Sequence, residues 1–124
     1  MKLAMAMRRG NRVAASSSNL PVQFCPMQDG QCSLAWQDAP LQLLLLYPDS
    51  NDSQLLRQLP ALPSGHNLVY NRKALTFRRD GSLNGFENGT FYYCPKPQQQ
   101  WHYRLTVNQA GRGRLTEVHS ACPY

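Results

Sequence analysis

Four cysteines, Cys25, Cys32, Cys94 and Cys122, restrict what this 124-residue chain can fold into more than any other feature. They allow three pairings, and spacing alone does not strictly choose among them. A zinc site is the rival arrangement. Yet the sequence holds no CxxC, its three histidines (His66, His102, His119) are scattered, and the seven-residue step from Cys25 to Cys32 suits a closed loop better than a metal knuckle. Two disulfides, Cys25–Cys32 and Cys94–Cys122, are therefore expected, with no metal and no cofactor. Such bonds belong to an oxidising compartment: periplasm, cell surface or medium.

A disulfide-bearing chain needs export, and no export signal is visible. Residues 1–10, MKLAMAMRRG, lack the apolar stretch of a signal peptide. The longest apolar run, LQLLLLY at 41–47, falls far short of the ~20 residues of a spanning helix. The expectation is a soluble fragment whose export or anchoring segment has been removed. Its 42% hydrophobic and 16% charged content is that of a globular domain rather than a disordered one. At this length the chain makes one domain that buries roughly two thirds of its unfolded surface.

Residues 3–18, LAMAMRRGNRVAASSS, are the one segment that reads as a helix. Leu3, Met5, Met7, Val13 and Ala14 can share a face, while Gly10 weakens it by about 1 kcal/mol. Asn19 and Pro21 end it. Beyond that point the sequence reads as short strands: VQF (22–24), LQLLLLY (41–47), NLVY (67–70), ALTFRR (74–79), TFYYC (90–94), WHYRLTVN (101–108) and GRLTEV (113–118). LQLLLLY does not alternate, so both of its faces should be buried. An Asp-Gly turn lies inside CPMQDGQC, PDSNDSQ (48–54) reads as a turn cluster, and Pro60 and Pro63 make 55–65 irregular. The expected fold class is α+β, a helix over residues 1–18 packed on an antiparallel sheet or sandwich formed by residues 19–124.

The formal charge is +6, and residues 66–124 hold +5 of it. Eight basic side chains there (Arg72, Lys73, Arg78, Arg79, Lys96, Arg104, Arg112, Arg114) face Asp80, Glu87 and Glu117. A basic surface of this kind favours polyanions, although solubility alone also accounts for it. The closing QAGRGRLTEVHSACPY is the most specific part. In an extended strand Arg112 and Arg114 project to one side, roughly 6.6 Å apart. Gly113 removes a side chain from the other face, and Gly111 lets the backbone bend towards a ligand. Paired guanidiniums suit phosphate oxygens, and Cys122 pins the tail behind them. The plainer reading is a charged edge strand that discourages aggregation. Arg104, Lys96, Arg78 and Arg79 are supporting positives, equally readable as ordinary surface charge. Phe91, Tyr92, Tyr93, Trp101 and Tyr103 are mostly sheet or core residues, with base stacking as the alternative. His119 reads as an exposed bystander. No catalytic constellation stands out, so the chain is read as a non-enzyme.

The stretch ALTFRRDGSLNGFENGTFYYCP, followed after WHYRLTVNQ by AGRGRL, resembles the GspH/FimT family of type IV minor pilins and pseudopilins. NLPVQFCPMQDGQCSLAW is similar to the segment that follows the helix in that family. The likeness runs from about residue 8 to residue 122. It implies a cleaved leader and an apolar N-terminal helix that anchors the subunit in the inner membrane, of which residues 3–18 would be the lower half. It also implies a periplasmic domain that later reaches the pilus surface or tip, and partnership with other minor and major pilins. The two disulfides fit its layout. In FimT-like members the G-R-x-R motif is associated with DNA binding in natural transformation. Carried onto this sequence, that makes Gly111, Arg112, Gly113 and Arg114 the expected grip on phosphate. The alternative role is a structural pseudopilin that primes assembly of a pilus or secretion pseudopilus without binding DNA.

Overall fold

The computed structural model describes residues 20–78 and 80–124, which form nine strands. The first sheet has the order β2-β1-β3-β4, made of β1 (Val22–Gln28), β2 (Gln31–Cys32), β3 (Leu41–Tyr47) and β4 (Asp52–Leu59). Its fifth strand, β6 (Leu75–Phe77), pairs with the Val22–Phe24 half of β1. The second sheet has the order β5-β7-β8-β9: β5 (Asn67–Val69), β7 (Gly89–Cys94), β8 (His102–Val107) and β9 (Gly113–Val118). Every strand pair is antiparallel.

The expected α+β class is thereby corrected. The described residues contain no helix and are about 47% strand, arranged as an all-β pair of sheets. The helix expected over 3–18 lies outside the described residues. Past Pro21 every apolar segment is short and bounded by proline or turn residues, so strand pairing is the only ladder its backbone can complete. Among the described residues no helix is long and apolar enough to cross a membrane.

Alternation fixes the faces of the first sheet. Val22 and Phe24 of β1 lie opposite Leu45 and Leu43 of β3 and point to the core, while Gln23 and Leu44 share the other face. Leu43 and Leu44 are both buried, as an unalternating run requires. The Asp-Gly signal closes the β1–β2 hairpin, with Asp29 and Gly30 both at positive φ (53° and 79°), the backbone that a two-residue hairpin turn needs. Both disulfides form as expected, Cys25–Cys32 across that hairpin and Cys94–Cys122 between β7 and the C-terminal tail. Strand β4 departs from the sequence reading, which gave turn and irregular chain to 48–65. It is an exposed edge strand with polar side chains, so it carries little of the apolar signal by which strands are read.

The core is centred on Trp36, in the loop between β2 and β3. Its ring meets Phe91 at 4.9 Å, Tyr70 at 5.5 Å and Phe24 at 5.8 Å, joining side chains of both sheets. Its indole N–H donates to the Arg72 carbonyl at 2.6 Å. Tyr70 stacks on Phe91 at 3.8 Å and donates its hydroxyl to the Glu87 carbonyl. Glu87 in turn ties the loop before β7 to β6. Its carboxylate accepts from the Thr76 N–H at 2.5 Å and the Thr76 hydroxyl at 3.0 Å. Burial pushes its carboxyl above the usual range, and the two Thr76 bonds only partly oppose that.

Two outcomes follow for stability. Trp36→Ala, which removes the ring that bridges the sheets, should cost about 3–5 kcal/mol in a urea titration. Because the folded state holds the Glu87 proton more tightly than the unfolded chain, the Glu87 contribution is present below the ordinary glutamate range and is lost as pH rises through the raised value. Asp80 is held low by hydrogen bonds from Ser82 and gives the opposite slope, lost as pH falls through its depressed value. Glu87→Gln should therefore remove the decline of stability with rising pH just above that range. An unchanged pH profile would contradict the assignment.

Candidate nucleic-acid interface

The β8–β9 hairpin positions the two arginines. Its turn is closed by three hydrogen bonds: Asn108 N–H to the Arg112 carbonyl (3.0 Å), Gly111 N–H to the Asn108 carbonyl (2.9 Å) and Arg112 N–H to the Asn108 side-chain oxygen (3.0 Å). Gly111 stands at φ 82°, the left-handed position that a three-residue hairpin loop places last. The turn sets the register, with Val107 opposite Gly113, Thr106 opposite Arg114 and Leu105 opposite Leu115. Val107 and Leu105 are buried in the core. Thr106, Arg114, Arg104 and Thr116 therefore occupy the outer face, together with Arg112 across from Asn108. Arg112 lies just before β9, so one of the pair belongs to the turn and the other to the strand. Both are exposed, and among the described residues neither is paired with a carboxylate.

Arg104 completes a stripe on that face. It lies diagonally across from Arg114, at roughly 7–8 Å by sheet geometry. Its guanidinium sits 5.2 Å from the centre of the Tyr92 ring, a cation–π contact, and its Nε–H donates to His102 Nε2 at 3.1 Å. The other ring nitrogen of His102 lies 3.1 Å from the Ser120 carbonyl. Both bonds are satisfied together only when the imidazole proton is on Nδ1. The tail that supplies Ser120 is held at three further points: the Cys94–Cys122 bond, an Asn67 amide bond to the Tyr124 main-chain oxygen (3.3 Å), and the Tyr124 ring against Tyr92 (5.3 Å). Cys122 thus acts on Arg104, through Ser120 and His102.

The remaining sequence candidates are dispersed. Arg78 sits in a turn whose Nε–H reaches Ser82 at 3.4 Å and whose Asp80 partly offsets its charge. That turn adjoins the hairpin tip, because Gln109 donates to the carbonyls of Leu83 and Asn84 at 2.7 Å each and accepts from the Leu83 N–H. Arg79 lies outside the described residues. Lys96 is in the β7–β8 loop, at the far end of β8 and about 20 Å from the tip by strand rise. His119 is exposed just past β9. Of the aromatics, Phe91 is in the core and Tyr92 is on the outer face, while Tyr93, Trp101 and Tyr103 line a cleft behind it. Sequence reading missed His102, Ser120 and Asn108 as partners of this face. The i, i+2 spacing of His102 and Arg104 was a usable signal for the first; the long-range Ser120 contact left none.

This pair of antiparallel sheets, with a C-terminal hairpin stapled through its tail, defines a domain of the minor pilin and pseudopilin class. The chain belongs to the GspH family: the family model for the type II transport protein GspH matches residues 4–111. The match ends one residue before Arg112. Two crystal structures of the type IV minor pilin FimU from Pseudomonas aeruginosa PAO1 are similar at 20% identity. Their TM-scores are 0.72 and 0.71, over 96% of this chain and 94% and 89% of theirs, a likeness of fold. No curated protein matches the sequence significantly.

The hairpin tip depends on one backbone position. Gly111→Ala places a Cβ at positive φ and should cost about 1–2 kcal/mol in denaturant unfolding. Its amide chemical-shift changes should be confined to the hairpin tip and the Leu83–Asn84 segment that Gln109 holds.

Proposed function

We propose that this minor pilin binds extracellular DNA through backbone phosphates, without sequence preference, and supports DNA uptake in natural transformation. The observation that carries the reading is the outer face of the β8–β9 hairpin. There Arg112 and Arg114 are exposed without an acidic partner among the described residues, and Arg104 stands beside them in a fixed pose. The backbone beneath these charges is already held by a closed turn, so binding costs side-chain freedom alone. Guanidiniums donate to phosphate oxygens in bidentate fashion and carry no base readout in this arrangement. Tyr93, Trp101 and Tyr103 lie on the opposite face from these arginines, so the reading rests on phosphate contacts rather than base stacking.

Family membership supports a non-catalytic role among other pilins, anchored from the inner membrane and delivered to the pilus. One isolated domain should bind weakly, with avidity arising from repeated encounters along the polymer. The alternative, a scaffold that primes pilus or pseudopilus assembly, draws on the family match, which covers β1 to β8 and stops short of Arg112 and Arg114.

Fluorescence anisotropy with two duplexes of unrelated sequence, between 50 and 200 mM salt, separates the two roles. About three phosphate contacts should give equal affinities and a log–log salt slope of roughly −3. Arg112→Ala/Arg114→Ala should weaken binding about tenfold or more with the fold intact. Equal binding by that variant would move the site elsewhere, and no binding by the wild type at low salt would leave the scaffold role.

A further inference from the structure

Strand β9 ends its sheet, paired with β8 on one side only, and its residues from Gly113 to Glu117 are exposed. Behind it, on the inner face of the sheet, opens an apolar cleft of about 640 Å³. Leu115 of β9 forms one lip and is 38% exposed. Tyr93, Tyr103 and Trp101 form the floor. Tyr103 stacks with Tyr93 at 6.3 Å and meets Trp101 edge-to-face at 5.4 Å. The Tyr93 hydroxyl is bonded to His66 at 2.7 Å, so this floor is set before anything enters. The opposite wall is the Pro60–Pro63 segment with Leu62. No strand in the described sheets other than β8 pairs with β9, so this wall adds no ladder to the β9 edge.

We infer that the open edge of β9 and this cleft form one docking site for an extended polypeptide segment that alternates apolar and acidic side chains. A strand laid against β9 would complete the unpaired backbone edge, the mode in which main-chain bonds give affinity and alternate side chains give specificity. Its inward side chains would enter the cleft beside Leu115, Tyr103 and Trp101. Its outward side chains would meet Arg114 and Arg112, whose charges have no acidic partner among the described residues, so carboxylates fit there and amines are repelled. Of the other edge strands in the described sheets, the longest, β4 with the sequence DSQLLRQL, lacks that alternation and carries Arg57, and a second copy of β9 would bring further arginines to the same face. A second copy is therefore the poorer occupant.

The test uses the 124-residue chain labelled with 15N and an end-blocked heptapeptide of alternating glutamate with leucine or valine. Amides of residues 113–118 should shift and gain exchange protection, and Trp101 fluorescence should change. A peptide of the same composition without alternation, and an alternating lysine peptide, should each bind at least tenfold more weakly. Leu115→Gln, which removes the apolar lip without changing the charge, should weaken peptide binding at least tenfold while leaving DNA binding unchanged. The inference is overturned if the alternating peptide leaves 113–118 unmoved at millimolar concentration, if the non-alternating peptide binds equally, or if β9 amides instead shift with protein concentration alone, which would mean pairing between copies. DNA binding measured on the same samples keeps the two readings apart, since either can fail while the other stands.

Discussion

The pairing of β8 with β9 decides what every side chain of the C-terminal strand can do. Strand side chains alternate with a period of two, so a slip of one residue would turn Arg114 towards the core and Leu115 to the outer face. Two features prevent the slip. Leu105 and Val107 are buried in the common core, which fixes the face of β8. The Asn108–Arg112 turn, with Gly111 at positive φ and the Asn108 side chain bonded to the Arg112 N–H, fixes the offset of β9. Hydrophobic burial supplies the force and turn chemistry supplies the count.

From that register come two surfaces of different character on one strand. The outer face is basic and hydrogen-bonding, with Arg104 oriented by Tyr92 and His102 and the tail locked over it by Cys94–Cys122. The inner face carries Leu115 at the lip of the aromatic cleft, with Glu117 beyond it opposite Tyr103. The charge is divided along the chain. Residues 20–65, which supply β1 to β4, carry Asp29, Asp38, Asp49 and Asp52 against Arg57 alone, whereas residues 66–124 hold the basic excess. A polyanion approaching such a molecule is steered to the surface formed by residues 66–124.

Much of this was legible in the sequence because it is local. The Asp-Gly turn between Cys25 and Cys32 and the bounds of LQLLLLY and GRLTEV each depend on a few neighbouring residues and agree with the structure, whereas burial of LQLLLLY on both faces holds only at Leu41, Leu43 and Leu44. Strand β4 was not legible, since an exposed edge strand draws its stability from backbone pairing with β3 rather than from apolar spacing. The α+β expectation rested on residues 3–18, and the described residues form sheets alone. At the candidate interface the spacing of Arg112 and Arg114 puts them on a shared side, and alternation holds through the turn. The sequence could not give the link from Ser120 through His102 to Arg104, which joins residues up to 18 apart through a tail that a disulfide carries back across the sheet.

The most direct measurement is of the arginine side-chain Nε–Hε resonances during titration with a duplex of arbitrary sequence at low salt. Phosphate binding at the hairpin should move Arg112 and Arg114 together and first, with Arg104 following and Arg57 of β4 unmoved. Equal small shifts at every arginine, or movement at Arg57 with the hairpin arginines silent, would contradict a site built by the β8–β9 register.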